Sequence, residues 1–336
     1  MILRLSVLSL LLSKRAVAVG FGLSGLLALA LLAAIMLGAY PMSSTQVLDS
    51  IRGQADAVAR MIVIEHRLPR ILTAIGAGAA LGMAGAMFQT MLRNPLASPD
   101  VIGFTAGASC GALLAMILTG GMVLAGALVG GLSAAALVTL LAWKDGLHPY
   151  RLILTGIGIS LTLTAGADLL MTKLDALTAA EMAKWLVGSL NTRSWGDVTL
   201  IWLGLLVLTP VALWLQFPLR RLAMADDVAT ALGIALTPAR LAIAVTAIAL
   251  VALAISVSGP LPFVAFVSGP IARRLVKGGA PALLSAAMIG ALVTLLADMA
   301  ARSIPMVQLP AGVFTAIIGA PVLMWLLLVQ FRKGTL

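Results

Sequence analysis

The sequence has 336 residues, of which 61% are hydrophobic and only 10% are charged. Soluble domains are about 45–50% apolar and about 25% charged, so this composition excludes a soluble globular protein. The formal net charge of +10 indicates loop topology in a membrane chain rather than a nucleic-acid partner. The single cysteine, Cys110, permits neither a disulfide within the chain nor a thiolate metal site.

Ten membrane-spanning helices are predicted, because the chain repeats apolar runs long enough to cross about 30 Å of hydrocarbon. The first run follows Arg4, Lys14 and Arg15 and is longer than the core of a cleavable signal, so it is predicted to be a retained span. The whole chain, 1–336, is therefore predicted to be one all-α polytopic membrane domain. The ten segments lie at about 17–40, 70–92, 101–119, 122–143, 152–172, 198–217, 239–257, 262–275, 282–302 and 311–330.

The orientation of these spans is predicted from the basic residues of the connecting loops. With the N- and C-termini in the cytoplasm, the cytoplasmic loops carry 14 of the 22 lysines and arginines, and the outer loops carry 8. Basic residues are enriched in the cytoplasmic loops of membrane proteins, so this split favours cytoplasmic termini.

Three segments interrupt the apolar pattern. The stretch RNPLASPDVIGF (93–104) contains Pro95 and Pro99, which cannot continue a helix, so it is predicted to be a tight and rigid cytoplasmic corner. The proline-rich stretch 258–274 is too short for an ordinary span and is predicted to be a broken or half helix. Region 173–197 is amphipathic with two tryptophans and is predicted to lie at the outer surface of the membrane.

Glycines recur at helical spacing in three places. Close helix–helix packing explains such ladders more simply than ligand binding does, because small residues let membrane helices approach one another. The ladders are Gly78 with Gly82, Gly103 with Gly107 and Gly111, and Gly126 with Gly130.

Several motifs in fixed order carry a family resemblance: RLPR (67–70), GAALGMAGAMFQTMLRNPLASPDVIGFTAGA (78–108), GSLN (188–191) before Trp195, ALG (231–233), ADMAAR (297–302) and LPAGVFTAIIGAPVLMWLL (309–327). From about residue 60 onward the chain resembles the FecCD-type permeases. These are the membrane subunits of bacterial ABC importers for ferric siderophores, haem and vitamin B12, and the likeness is greatest to those for ferric catecholates. The chain departs from the family pattern at 268–271, where the proline stands one position later.

The resemblance implies a type II ABC importer permease fold in a bacterial inner membrane. It also implies four kinds of partner: a second permease, identical or a sister chain, two ABC ATPase subunits, a periplasmic substrate-binding protein and membrane lipid.

Three arginines lie on the predicted outer side, although basic residues are otherwise enriched on the cytoplasmic side: Arg67, Arg70 and Arg302. A guanidinium group binds a carboxylate through two hydrogen bonds, which suits docking of an acidic partner surface. Anchoring to the membrane interface or to lipid headgroups is the alternative. The resemblance implies that these arginines dock glutamates of the binding protein.

The predicted cytoplasmic loop at about 220–240 contains a short helix. Its N-terminus is expected to be capped by Asp226, and Gly233 is expected to end it. The small and apolar residues of the helix would fit a groove on another protein, and an ordinary interfacial loop is the alternative. The resemblance implies that this helix couples to the ATPase through Asp226, Asp227, Ala229, Leu232 and Gly233.

The resemblance also implies a gate at the cytoplasmic end of the translocation path. Its first part is the corner that begins at Arg93, from which Asn94 and Leu96 are expected to project towards the axis between two paired permeases. Its second part is the turn before the fifth span. A simple inter-helix turn is the alternative for the corner. The residues assigned to the gate are Asn94, Pro95, Leu96, His148 and Tyr150.

The sequence contains no catalytic constellation and no G-x-x-x-x-G-K-[ST] phosphate loop, so the protein is not predicted to be an enzyme and ATP hydrolysis is expected on a separate chain. No cofactor and no metal site are predicted. Asp168 and Asp298 are the only acids placed within spans, and capping or pathway polarity is favoured for them over a proton relay, because no basic partner is predicted in the membrane. The leading hypothesis is a permease subunit for an iron chelate. The alternatives are an ion-gradient-driven secondary transporter and an importer of haem or vitamin B12.

Overall fold

The computed structural model describes residues 2–5, 8–11, 14–38, 40–99, 103–144, 146–277, 281–304 and 309–332. Within these ranges helices joined by short connections make up the chain, together with one antiparallel hairpin, formed by β1 (Ile2–Leu5) and β2 (Leu8–Leu11), which was not predicted. The helices are α1 (Lys14–Met36), α2 (Ser44–Arg52), α3 (Ala57–Arg60), a π-helical segment (Met61–Arg67), α4 (Leu68–Met91), α5 (Phe104–Thr119), α6 (Val123–Ala142), α7 (Pro149–Met171), α8 (Ala176–Val187), α9 (Trp195–Leu222), α10 (Asp226–Ala231), α11 (Leu236–Ser258), α12 (Val264–Val276), α13 (Leu283–Arg302) and α14 (Ala311–Arg332).

The all-helical fold class is confirmed for the long segments of the described chain. Seven helical stretches are long and apolar enough to cross a membrane, and α5 and Ala311–Trp325 of α14 are shorter apolar helices. The half helix α12 has only 13 residues. Each of the ten predicted segments therefore coincides with a helix, whereas the crossing of a membrane by all ten stays a prediction.

The central helix of the bundle is α4. It packs against α9, α11, α12 and α13, and almost all of its side chains are buried. A methyl group added at Gly78 would lie 2.3 Å from the carbonyl oxygen of Gly290, and one added at Gly82 would lie 2.2 Å from that of Ala286. Because lipid supplies no hydrophobic drive between helices, such close backbone contact is what holds them together. The packing role predicted for this ladder is confirmed.

The other two ladders face each other across α5 and α6. A methyl group at Gly107 would lie 2.5 Å from the carbonyl oxygen of Gly130, and one at Gly111 would lie 2.1 Å from that of Gly126. Gly103 is the exception, because it precedes α5 with a φ of 75°. Its lack of a side chain serves this left-handed backbone conformation, which glycine adopts readily.

The predicted corner after α4 is present, but its second half is buried. The chain turns at 92–97, and Ala97, Ser98 and Pro99 are buried inside the protein. Residues 100–102 lie outside the described ranges. Next, α5 begins beside the middle of α7, where Gly103 approaches Ser160. The 16 residues of α5 span only about 24 Å at about 1.5 Å per residue, so α5 starts at some depth within the bundle.

The proline-rich stretch is broken, as predicted. Helix α11 ends at Ser258, and Gly259 has a φ of 66° and a ψ of −174°, a backbone conformation open mainly to glycine. The end of α8 lies against this break, since the N–H of Ser189 donates to the carbonyl of Ser258 at 2.9 Å. The N–H of Gly312, in the first turn of α14, in turn donates to the carbonyl of Gly188 at 3.1 Å. The carbonyl of Ser258, at the break, thus has a partner within the protein, as a membrane environment requires.

The amphipathic region 173–197 contains α8 and the turn into α9. Asp175 caps α8, because its carboxylate accepts hydrogen bonds from the backbone N–H groups of Leu177 and Thr178 at 3.1 Å. The placement of α8 at a membrane surface stays a prediction.

Replacing Gly82 by alanine is expected to destabilise the protein, because the new methyl group meets backbone that cannot move aside without separating α4 from α13. Overpacking of this kind costs about 1–3 kcal/mol. The measurement is the thermal unfolding midpoint of the purified protein in detergent. Gly22→Ala is the matched control, since nothing lies within 4 Å of a methyl group built there. An equal loss in both variants would contradict the packing role of Gly82.

Candidate functional site

A buried ion-pair cluster lies at the end of the bundle where α4 begins and α13 ends. This Asp298 cluster consists of Arg70, Asp298 and Arg302. The side chain of Asp298 is fully buried, and Nε of Arg70 lies 3.0 Å from its Oδ1 and 3.1 Å from its Oδ2. Arg302, one turn further along α13, places its Nε 3.2 Å from Oδ2. Two guanidinium groups share one carboxylate, so the cluster keeps a net positive charge.

This pairing overturns the sequence-based interpretation of Asp298. Capping or pathway polarity was expected because no basic partner could be assigned to it. Arg70 stands 228 positions away in the sequence, and the two meet only because α4 packs on α13. Asp168 differs, since it is exposed and lines a large cavity.

Arg67 has a different set of partners from the other two predicted docking arginines. It is only 7% exposed. Its guanidinium donates hydrogen bonds to the carbonyl oxygens of Ile35, Met36 and Tyr40, the one to Met36 at 3.3 Å. The last carbonyls of a helix lack partners within the helix, so Arg67 satisfies the end of α1.

The predicted docking arginines open onto a common cavity of about 390 Å³. Each of the side chains of Arg70 and Arg302 remains 13% exposed. Guanidinium groups gathered around one concave surface create a positive potential that suits an acidic partner. The docking role stays a prediction. The lining also includes Arg193, Tyr40, His66 and Asn191.

A second ion-pair cluster lies at the opposite end of α4. This Asp226 cluster consists of Arg93, Asp226 and Arg240. The Oδ1 atom of Asp226 accepts hydrogen bonds from Nη2 of Arg93 at 2.6 Å and from Nη2 of Arg240 at 2.7 Å. Asp226 was expected to cap α10, but the capping position is Ala225, and no side chain caps this helix. That expectation was wrong because the carboxylate is taken by two arginines that are distant in sequence.

The C-terminal end of α10 follows the prediction for Gly233. This glycine has a φ of 79°. Its N–H donates to the carbonyl of Thr230 at 2.9 Å, and the next N–H, of Ile234, donates to that of Ala229 at 3.1 Å. This pair of bonds is the Schellman arrangement, in which glycine is the preferred residue. The backbone conformation therefore accounts for a glycine at this position.

The exposed face of α10 differs from the expected one. Ala229 is fully buried against its own chain, so the expectation that it would be presented to a partner was wrong. Three large apolar residues four positions apart are exposed instead: Met224 at 49%, Val228 at 45% and Leu232 at 50%. Met224 lies just before α10, Val228 lies within it and Leu232 follows it directly, and these three residues are called the apolar stripe. Asp227 is also exposed. Leu232 was among the residues expected to face a partner, and it is exposed, whereas Met224 and Val228 were not considered.

The first predicted gate segment is a compact turn in which Asn94 has a local role. The Oδ1 atom of Asn94 accepts a hydrogen bond from the backbone N–H of Leu96 at 2.8 Å. Asn94, Pro95 and Leu96 are all half-buried. The Asn94 side chain therefore shapes the corner itself, whereas its place beside a symmetry axis stays a prediction.

The second predicted gate segment precedes α7. His148 occupies the capping position of α7, and Tyr150 is 73% exposed. The carbonyl of Leu147, directly before His148, accepts a hydrogen bond from Nη1 of Arg240 at 2.8 Å. This turn is thus attached to the first turn of α11, and through Arg240 to the Asp226 cluster.

A cavity of about 800 Å³ lies between α5, α7, α14 and the break after α11. Most of its wall is apolar, and Ser109, Thr164 and Asp168 supply polar groups. A concave, mostly apolar wall with a few polar groups is typical of a site that holds a small molecule. Among the described residues, no group of three or more His, Cys, Asp or Glu side chains is placed to hold a metal ion.

A bundle of long apolar helices, with a broken helix beside a cavity, defines a polytopic membrane protein of transporter type. The model of the FecCD transport family matches residues 26–329. The ferric enterobactin transport system permease protein FepG of Escherichia coli (strain K12) is 40% identical over 300 residues, which cover 88% of this chain and 91% of FepG. The Fe(3+)-citrate import system permease protein YfmE of Bacillus subtilis (strain 168) is 37% identical over 305 residues, 89% of this chain and 91% of YfmE.

A solved structure of a transporter assigned to the metal-chelate ABC type, in an inward-facing conformation, matches with a TM-score of 0.81 and 29% sequence identity. The match covers 93% of this chain and 99% of that chain. The chain therefore belongs to the FecCD transport family, and the resemblance inferred from its motifs is confirmed.

Replacing Asp298 by alanine is expected to destabilise the protein strongly, because Arg70 and Arg302 would be left facing each other without an anion. Breaking a buried ion pair from one side costs about 3–5 kcal/mol. The measurement is the thermal unfolding midpoint and the yield of monodisperse protein. Asp168→Ala is the control for stability, since Asp168 is exposed. Equal midpoints for the two variants would rule out a structural role for the Asp298 cluster.

The pH dependence of the Asp226 cluster follows from its charges. Partial burial raises the pKa of the Asp226 carboxyl, but the hydrogen bond from Arg240 and the positive charges of Arg240 and Arg93 outweigh it, so the pKa lies below its ordinary value. A carboxyl whose pKa is depressed by folding stabilises the protein above its unfolded pKa, and this stabilisation is lost as the pH falls through the folded pKa.

The difference in thermal stability between the wild type and Asp226→Asn is therefore expected to be constant from about pH 8 to about pH 5 and to shrink only as the pH falls through about 3.9 and below. Thermal midpoints of both proteins across this range measure it. A difference that already shrinks between about pH 7 and pH 5 would contradict the lowered pKa.

Proposed function

We propose that this chain is the non-enzymatic, membrane-spanning permease subunit of an ABC importer that carries an iron chelate, most simply a ferric siderophore, across a bacterial inner membrane. The observation that carries the proposal is the extent of the relationship. The FecCD model matches residues 26–329, and relatives named for ferric enterobactin and Fe(3+)-citrate align over nearly nine-tenths of the chain. The cargo, the membrane and the partner chains are part of the proposal.

The proposed topology has ten spans with both termini in the cytoplasm. The cytoplasmic placement of the termini rests on the basic residues of the loops. Side-chain contacts support the grouping of the loops, because they join residues assigned to the same side of the membrane. Arg70, Asp298 and Arg302 meet at the proposed outer end. Arg93 and Asp226 meet at the proposed cytoplasmic end. A wrong orientation for one loop would require some of these contacts to cross the membrane.

The proposed outer end docks a periplasmic binding protein. Arg70 and Arg302 are the proposed direct contacts, since both line the 390 Å³ cavity and remain partly exposed. Arg67 supports them by fixing the end of α1. Because Asp298 already neutralises one charge, a carboxylate of the partner would face the surplus charge of the cluster.

The proposed cytoplasmic end docks one of two ATPase subunits through α10, and a second permease chain completes the path. The apolar stripe of Met224, Val228 and Leu232 is the proposed contact, because exposed large apolar residues in a row mark protein interaction surfaces. Gly233 permits the chain to turn after α10. The cavity of about 800 Å³ is the proposed half of the path contributed by this chain.

A secondary transporter is the second candidate. The observation in its favour is the broken segment between α11 and α12, because such breaks near a cavity hold ions or substrate in ion-coupled transporters. It predicts uptake that needs an ion gradient and no ATPase.

Replacing Leu232 by aspartate is expected to abolish ATP-driven uptake, because a charge at the most exposed residue of the stripe prevents seating in an apolar groove. The binding protein should still dock. Uptake of a ferric catecholate and ATP hydrolysis are measured in proteoliposomes with and without the ATPase subunits. Leu232→Met, which keeps an apolar side chain, is the matched control and should retain uptake.

Uptake that persists in Leu232→Asp would contradict the proposal that the stripe docks the ATPase. Uptake by the wild type without any ATPase would overturn the importer itself and favour the secondary transporter.

A further inference from the structure

We propose that Asp226 is the positioning residue through which movement of α10 reaches both predicted gate segments. The inference rests on the proposed function, in which α10 is the contact with the ATPase. It assigns to the Asp226 carboxylate a role inside this chain, as the shared link between three separate segments, rather than a role in touching the ATPase.

The geometry of the link is direct. A single carboxylate oxygen of Asp226, in the first turn of α10, binds Arg93 at 2.6 Å and Arg240 at 2.7 Å. Arg93 belongs to the corner after α4, and its Nη1 also donates to the carbonyl of Met224 at 2.9 Å. Arg240 reaches with its Nη1 to the carbonyl of Leu147, 2.8 Å away, in the turn before α7. A displacement of α10 therefore acts on both turns through one atom.

The link is buried where Arg240 of α11 binds Asp226. The side chain of Arg240 is only 5% exposed, whereas those of Arg93 and Asp226 are 35% and 32% exposed. A buried guanidinium without an anion is costly, so Arg240 holds its carboxylate tightly. The turn before α7 is held on α11 a second time, because a methyl group at Gly146 would lie 2.6 Å from Oγ1 of Thr237.

The backbone conformation of Arg93 supports its role in linking the corner after α4 to Asp226. Arg93 has a φ of 51° and ends α4, with its N–H donating to the carbonyl of Thr90 at 3.2 Å and the N–H of Asn94 to that of Gln89 at 3.1 Å. This is the position at a helix end that glycine normally takes. A residue with a side chain is kept in such a conformation where its surroundings or its function require it. Here the side chain is the one that reaches Asp226.

The test uses the complete complex in proteoliposomes, with ATPases, binding protein and a ferric catecholate as the probe cargo. The measured quantity is the ATP hydrolysed per cargo molecule imported, for equal amounts of assembled complex. Asp226→Asn removes the charge and keeps the size, and it is expected to raise this ratio, because ATP is hydrolysed without movement of both gate segments. Asp226→Glu keeps the charge and is expected to restore a ratio near that of the wild type. A wild-type ratio in Asp226→Asn would overturn the proposal.

Arg93→Gly separates a coupling role from a structural one. Glycine suits the left-handed backbone at this position, so the unfolding midpoint is expected to stay equal or rise. The ratio of ATP to cargo is nevertheless expected to rise, because the corner has lost its link to Asp226. If the Asp226→Asn complex does not assemble, the ratio measured for Arg93→Gly tests the proposal in its place. A stable Arg93→Gly complex with the wild-type ratio would refute the link.

A cysteine label reports on the gate directly. Leu96→Cys in a Cys110→Ser background is expected to change its labelling rate when ATP binds to the otherwise wild-type complex. The change is expected to disappear with Asp226→Asn or Arg93→Gly, and its persistence in both would contradict the proposal. A wild-type complex that imports without ATPase would defeat the proposed function instead, so the two failures are distinguishable.

Discussion

The close packing around α4 is the constraint on which the other features depend. Backbone touches backbone at Gly78, Gly82 and Gly85, which leaves no room for lipid or for side chains that could change rotamer. A helix held in this way on several sides behaves as a rod, and its 24 residues span about 36 Å at about 1.5 Å per residue. Arg70 stands at its beginning and Arg93 directly after its end. One rigid element therefore sets the distance between the Asp298 cluster and the Asp226 cluster.

The two clusters share a chemical pattern. In each, one aspartate is bound by two arginines, so each keeps a surplus positive charge. Backbone carbonyl oxygens supply further acceptors, as Ala34 does for Arg302 and Leu147 does for Arg240. These polar groups lie at the ends of the bundle, while the glycine and alanine contacts lie between them. Charge is thus concentrated where other chains would bind, and the middle is left apolar for passage.

The sequence predicted the helices and their breaks well, because both depend on local properties. An apolar run of sufficient length has few alternatives to a helix, and Gly259 and Gly233 end helices through their own backbone preference. The family motifs identified the family because they combine in one order. The ladder at Gly107 and Gly111 was also correctly assigned to helix packing.

The partners of charged side chains were not predictable, because they depend on tertiary packing. Nothing in the local sequence indicates that Asp298 meets Arg70 or that Asp226 binds Arg240 instead of capping α10. The burial of Ala229 has the same origin, since it depends on how α10 packs against its neighbours. The left-handed conformation of Arg93 has the same origin, because its side chain binds Met224 and Asp226, more than 130 positions away.

The attachment of α1 has a consequence for the order in which its contacts can form during synthesis. Most of α1 is exposed on the surface of the bundle, and polar contacts hold both of its ends. At its start, Nε of Arg15 donates to the carbonyl of Leu275 at 2.7 Å, across 260 positions of sequence. At about 5–20 residues per second, the ribosome produces that carbonyl roughly 13–50 seconds after Arg15. The partner of the other end comes much sooner, because Arg67 follows Met36 by only 31 positions. The two ends of α1 are therefore attached at different times: the end near Met36 early in synthesis, and the end at Arg15 only when the final third of the chain is present.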